Sequence, residues 1–220
     1  PENEHELEKF LTYHLFYSKK ERLETKFVSM RGKPKEESKD FEQAVDNLHV
    51  AMGYLLKSEI KNRLFWLLLF YNDLSICYAG LKNSSLSRGY AEEAIRLIKK
   101  DEKYVTFQST LSSDTESGER KSVFVSSNMC SLFLIAIFNQ AESERRSHLL
   151  NEAEANFRII KSYGEDFGIK DFNYCSALLR LGMILTDQGR GREAIELFEK
   201  VQNSLDQKDA RYWDACLEEI

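Results

Sequence analysis

Proline is all but missing from this sequence: of 220 residues only Pro1 and Pro34 carry the ring. The chain beyond position 34 is therefore free of the strongest helix breaker. Cysteine is scarce as well. Cys77, Cys130, Cys175 and Cys216 stand far apart with no C-x-x-C pair, which excludes the usual zinc spacings and a disulfide framework and leaves small thiols within apolar helical patterns. The longest apolar runs, LFWLLLFY from Leu64 and LFLIAIF from Leu132, fall short of the ~20 residues that cross a bilayer, so they read as buried helices and no membrane partner is expected. No excess of one charge marks the chain. A formal net charge of −5 and a pI near 5.6 leave no basic footprint for nucleic acid. The one basic stretch, residues 19–35, lacks interleaved aromatics and reads as solvated surface.

Chemistry-bearing motifs are equally sparse. His5, His14, His49 and His148 occur singly, without a Glu or Cys at ligand spacing, and HELEK at the N-terminus lacks the second histidine of a zinc-protease motif. GRGREA, residues 189–194, fits G-x-G-x-x-A, but a dinucleotide fingerprint needs a buried strand before its first glycine. The preceding LLRLGMILTDQ has helical period instead, with apolar residues at 178, 181, 184 and 185. Neither catalysis nor a cofactor is expected within these residues. No signal-peptide pattern occurs, so a cytoplasmic location is expected and the sequon at Asn83-Ser84-Ser85 is expected to be unused. The opening at Pro1 and the last stretch, ARYWDACLEEI, which reads as a helix stopped partway, suggest a piece of a longer protein.

What is present is helical periodicity. Phe41, Val45, Leu48, Met52, Leu55 and Leu56 fall on one face at three-and-four spacing. Helices are predicted over 4–17, 19–29, 38–58, 61–81, 85–100, 122–141, 146–162, 172–187, 191–204 and 208–220. Only Tyr104 to Phe107 suggests a short extended piece. Arg31-Gly32-Lys33-Pro34 forms a turn cluster, and Lys82-Asn83-Ser84-Ser85 ends one helix and caps the next. Residues 108–122, QSTLSSDTESGERKS, are polar without period and are expected to form a mobile loop. The division is then 1–37, N-terminal helices and linker, and 38–220, a region of helix pairs.

Within that region a pattern recurs. Leu178, Leu181, Gly182, Leu185, Gly189, Ala194, Phe198 and Val201 have spacings that resemble the tetratricopeptide repeat, with Leu178 and Leu185 where that family often has Trp and Tyr. A weaker copy occupies Tyr71, Leu74, Ser75, Tyr78, Ala91 and Ala94. Ala153, Phe157 and Ile160 suggest a degenerate one, Ala44, Leu48 and Ala51 match a second helix whose partner lies upstream, and Tyr212 and Trp213 would begin a further unit or cap. In such a repeat two antiparallel helices cross closely, which calls for small residues such as Gly182 and Ala194 at the crossing. Gly189 would supply a left-handed helix end.

The resemblance implies an all-α fold, a right-handed superhelical solenoid of antiparallel helix pairs. It also implies a function: a scaffold that binds a protein or peptide in its concave groove. By the family's pattern the groove-facing residues are Leu69, Asn72, Asp73 and Ile76 in the earlier copy and Ser176, Leu179, Arg180, Met183 and Asp187 in the later one. Arg180 is suited to grip a carboxylate or to pair with a neighbouring acid. The lysines of the family's chaperone-tail clamp are missing. A different class of function also fits: the regulatory or substrate-docking part of a larger enzyme or signalling protein, such as one fused to a caspase-like protease.

Overall fold

The computed structural model describes residues 3–29, 37–100, 127–167 and 172–204. The predicted helix 208–220, the extended piece at 104–107, the turn cluster at 31–34 and the loop 108–122 lie outside them. Every regular element among the described residues is a helix. They are α1 (Glu4–Ser29), α2 (Glu37–Leu56), α3 (Arg63–Gly80), α4 (Ser84–Lys100), α5 (Ser127–Arg146), α6 (Leu150–Phe167), α7 (Phe172–Asp187) and α8 (Gly191–Ser204). The chain divides into two compact units, residues 1–143 and 144–220.

The last two helices begin and end where periodicity places them. Two differences are instructive. The break expected between residues 17 and 19 does not exist: α1 runs through Ser18, which is fully buried on the same side as Leu7 and Leu11. Lys19, expected to begin the next helix, is an exposed residue of a continuing one. Further on, α5 ends later than the predicted 141, its predicted start at 122 lying outside the described residues, and α6 begins and ends later than 146–162. The polar run Glu142-Ser143-Glu144, which reads as a helix end, is helical and buried. Composition misleads there because a polar residue inside a helix is ordinary once its side chain finds partners.

In the first unit the helices pack in chain order, α1 on α2, α2 on α3 and α3 on α4, with α1 also touching α3. Leu7 and Leu11 of α1 join Ala44, Val45, Leu48, Ala51, Met52 and Leu55 of α2, and the core continues through Phe70, Leu74 and Cys77 of α3. The upstream partner expected for Ala44, Leu48 and Ala51 is thus α1. At the far end of α3 the Phe41 ring lies on Gly80, where an added Cβ would come within 2.5 Å of it.

In the second unit α6 packs on α7 and α7 on α8. Ala153, Phe157 and Ile160 are fully buried on α6. Leu178, Leu181 and Leu185 are buried on α7, as are Ala194, Leu197 and Val201 on α8. The glycine in the middle of α7 is explained by contact. A Cβ at Gly182 would come within 2.7 Å of Phe198 Cζ and closer still to Cε1. The close neighbour is therefore Phe198, one turn beyond the Ala194 expected from the pattern.

Three turns share one set of backbone bonds. At the end of α3, Lys82 N–H donates to Ala79 O and Asn83 N–H to Tyr78 O. After α5, His148 N–H donates to Arg145 O and Leu149 N–H to Glu144 O. After α7, Gly189 N–H donates to Thr186 O and Arg190 N–H to Leu185 O. In each, the residue two past the helix takes positive φ: 58° at Lys82, 61° at His148 and 75° at Gly189. This is the Schellman ending, which satisfies carbonyls the helix would otherwise orphan. The following helix starts at once, since the carbonyls of Asn83, Leu149 and Arg190 accept from Ser87, Ala153 and Ala194. Asn83 Oδ1 also accepts from Leu86 N–H, the N-cap bond expected of it.

Two stability measurements test this account. Lys82 and His148 carry a Cβ in the left-handed region, so Lys82→Gly and His148→Gly should each stabilise by about 0.5–1 kcal/mol, and Gly189→Ala should cost about 1 kcal/mol. Urea titration reads all three, and identical midpoints would mean the turns are not strained. Gly182→Leu should destabilise by about 1–3 kcal/mol through overpacking against Phe198. In combination with Phe198→Ala the loss should be smaller than the sum, and strict additivity would place the two side chains out of contact.

Candidate partner-binding face

The residues expected to line a groove fall along one side of α3 in the first unit and one side of α7 in the second. On α3, Leu69 and Ile76 are half-buried, while Asn72 and Asp73 are buried. The Asn72 amide is committed inside the protein. Its Nδ2 donates to Leu132 O at 3.1 Å, and the Asn72 backbone carbonyl accepts from Asn139 Nδ2 at 3.4 Å. These bonds fix α3 against α5. They belong to a buried polar chain in which Ser75 Oγ donates to Ser87 O at 2.8 Å and Ser143 Oγ donates to Asn139 O at 2.9 Å. Ser87 Oγ and Ser143 Oγ lie 2.7 Å apart. With the Ser143 proton committed to Asn139, Ser87 is the donor between them. Asn72 is therefore a structural tie, and the apolar pair Leu69 and Ile76 is what α3 offers on this side.

On α7, Ser176 and Arg180 are buried, Leu179 and Met183 half-buried, and Asp187 exposed. Arg180 Nη1 lies 3.9 Å from Met183 Sδ, and the residue makes a further interaction within the protein. Leu179, Met183 and Asp187 are then the more accessible members of the set.

Two clusters went unread in the sequence. In the second unit Glu154 Oε1 accepts from Arg190 Nη1 at 2.7 Å and from Arg158 at 2.9 and 3.0 Å, and Glu154 Oε2 accepts from Gln188 at 3.0 Å. Arg190 also forks onto Glu193 with two 2.7 Å bonds, and Arg158 reaches Glu193 at 3.3 Å. Near the end of α6, Glu165 accepts from Lys161 at 2.8 Å and from Lys200 of α8 at 2.6 Å. Burial pushes the Glu154 carboxyl up, but the bonds from Arg190, Gln188 and Arg158 outweigh it and hold the group below the ordinary carboxylate value. Glu165 is lowered in the same way: burial raises it, and Lys161 and Lys200 more than compensate. Glu193 is lowered chiefly by its bond from Arg190. Glu154 and Arg158, four apart, were visible as a helical pair. Arg190, 36 positions away from Glu154, was not.

In the first unit an aromatic group spans α2, α3 and α4. Tyr78 and Tyr90 stack at 5.4 Å with planes 7° apart, Tyr71 lies 6.0 Å from Tyr90, and His49 Nε2 comes within 3.4 Å of Tyr78 Oη. Burial raises the Tyr71 phenol, with Glu93 adding to the effect, and burial and Tyr78 together raise Tyr90. Glu93 is itself paired with Arg96 on the same helix.

Among the described residues no three His, Cys, Asp or Glu side chains are placed to hold a metal ion. Cys77 and Cys175 are buried and Cys130 half-buried, all as free thiols. No helix among the described residues is long and apolar enough to cross a membrane. No protein-family model matches the chain, and no curated protein or solved structure matches it either.

The lowered carboxylates make an acid prediction. A carboxyl whose folded pKa is depressed contributes stability that is fully present above its unfolded value, ordinarily about 4.3 for Glu, and that is lost as pH falls through the folded value. The second unit should therefore lose stability below about pH 4.5. Glu154→Gln should lower the urea midpoint at pH 7 and shrink its change between pH 7 and pH 3.5. An unchanged acid dependence would show that Glu154 titrates alike in the folded and unfolded chain.

Proposed function

We propose that these residues form a tetratricopeptide-like scaffold, a right-handed superhelical run of antiparallel helix pairs that binds a peptide or protein and carries out no catalysis. The observation that carries the reading is the recurrence of one turn, with the same two backward bonds and the same left-handed position, after α3, α5 and α7. Packing in chain order within each unit supports it, because repeat arrays bury their helix faces chiefly against the preceding and following helix. Gly182 beneath Phe198 supports it further, since a close crossing inside each pair is what the repeat pattern encodes.

On this reading each unit offers a binding face of its own, Leu69 and Ile76 of α3 in the first and Leu179, Met183 and Asp187 of α7 in the second. Apolar side chains with few charges suit a peptide that brings its own hydrophobic anchors, with the exposed Asp187 favouring a basic residue beside them. The test is selection from a displayed peptide library on the 220-residue chain, followed by titration of the enriched peptides. Leu179→Glu and Met183→Glu should each weaken binding by about tenfold or more, and Asp187→Lys should weaken basic peptides selectively. Peptides that bind these folded variants as well as they bind the original chain would move the interface elsewhere. A library that yields no ligand would count against peptide recognition altogether.

A further inference from the structure

Opposite its buried side, α1 presents a face that none of the described residues of the first unit covers. Leu7, Leu11 and Ser18 point inward, whereas Lys9, Thr12, Tyr13, Phe16 and Lys19 are exposed. Phe16 is 67% exposed and Tyr13 59% exposed, high values for the two largest apolar side chains of one helix face. The Tyr13 ring is also held in a chain of aromatic contacts. Ring contacts run from Tyr54 of α2 to Phe10 at 4.9 Å, Phe10 to His14 at 4.3 Å, His14 to Tyr13 at 5.5 Å and Tyr13 to Tyr17 at 5.6 Å. A ring so held has little rotamer freedom left to lose when it is covered.

The charges on this face identify what covers it. Glu8 and Lys19 are three helical turns apart, about 16 Å, which brings them back to the same edge of the stripe. No ion pair holds either one among the described residues. When two identical helices meet antiparallel, like edges face each other, so an acid near one end and a base near the other form two equivalent pairs across a two-fold axis. A parallel or unrelated helix gains no such match. We infer that the exposed face of α1 binds a second copy of this chain, antiparallel, with Glu8 of each copy opposite Lys19 of the other. In that register Phe16 falls between Lys9 and Thr12 of the second copy, where the ring face meets the Lys9 ammonium. Tyr13 lies near the axis. The aromatic contacts supply the attraction and the charge pairs set direction and register, because exposed ion pairs contribute little by themselves. One helix face is a small interface, so the dimer is concentration-dependent.

Sedimentation equilibrium on the 220-residue chain tests this. The expected average mass rises with concentration from 25.7 kDa towards twice that value. Phe16→Glu should hold it at the lower mass. Glu8→Lys and Lys19→Glu should each weaken self-association by about tenfold or more. An equimolar mixture of those two variants should regain it as a heterodimer, since the two lysines of one chain then face the two glutamates of the other. All three substitutions avoid the inward-pointing residues of the helix, and circular dichroism verifies that the variants stay folded. A single-chain mass at every concentration overturns the proposal. So does association indifferent to the charge swaps, or a mixture no more associated than its components.

Discussion

A helix that is to pack against its own successor must end sharply without leaving its last carbonyls bare. That requirement governs what can be built from this chain. Two backward N–H bonds and one left-handed residue meet it after α3, α5 and α7, and each turn hands the chain directly to the next helix. The constraint acts on backbone conformation more than on residue type. Glycine meets it without strain at position 189. Lysine at 82 and histidine at 148 meet it at a steric cost, which the bonds they enable and the packing that follows offset.

The same backbone turn tolerates different solutions to the next problem, how closely the paired helices approach. At the α7–α8 crossing an aromatic ring takes the place of a missing side chain, Phe198 against Gly182. Between α3 and α4 the counterpart of Gly182 is Ser75, whose hydroxyl bonds the carbonyl of Ser87, the counterpart of Ala194, and the bonds extend through Ser143 to α5. One crossing is fastened by dispersion and the other by hydrogen bonds. The second is the more demanding, because each buried hydroxyl must keep its partner for the arrangement to be stable.

How much of this could be read beforehand follows from the range of each interaction. Helix positions, the left-handed end at Gly189, the small residue at 182 and the inward faces of α2 and α6 were legible, since they depend on spacings of three, four and seven within one segment. The left-handed ends at Lys82 and His148 were hidden behind residue types that give no such signal. The continuity of α1 was missed because Ser18 is polar yet lies on the buried face of the helix, and the buried Glu142 and Glu144 because polar residues read as solvent-facing until their partners are known. Asn72 shows the same limit at the candidate site: the family pattern placed it facing a ligand, but its amide is committed to Leu132. The clasp around Glu154 joins segments 36 positions apart, and no local pattern announces it.

Packing in chain order has a consequence for the route by which the chain folds. From α1 to α4 each helix of the first unit packs on its neighbour in sequence, so the loops to be closed are short and the entropy lost in closing them is small. Helical topologies rich in local contacts fold quickly. A hairpin completed at α3–α4 offers a template to α2 on one side and to α5 on the other. The first unit can therefore assemble progressively as it emerges from synthesis, with α2 covering the apolar face of α1 and α3 that of α2.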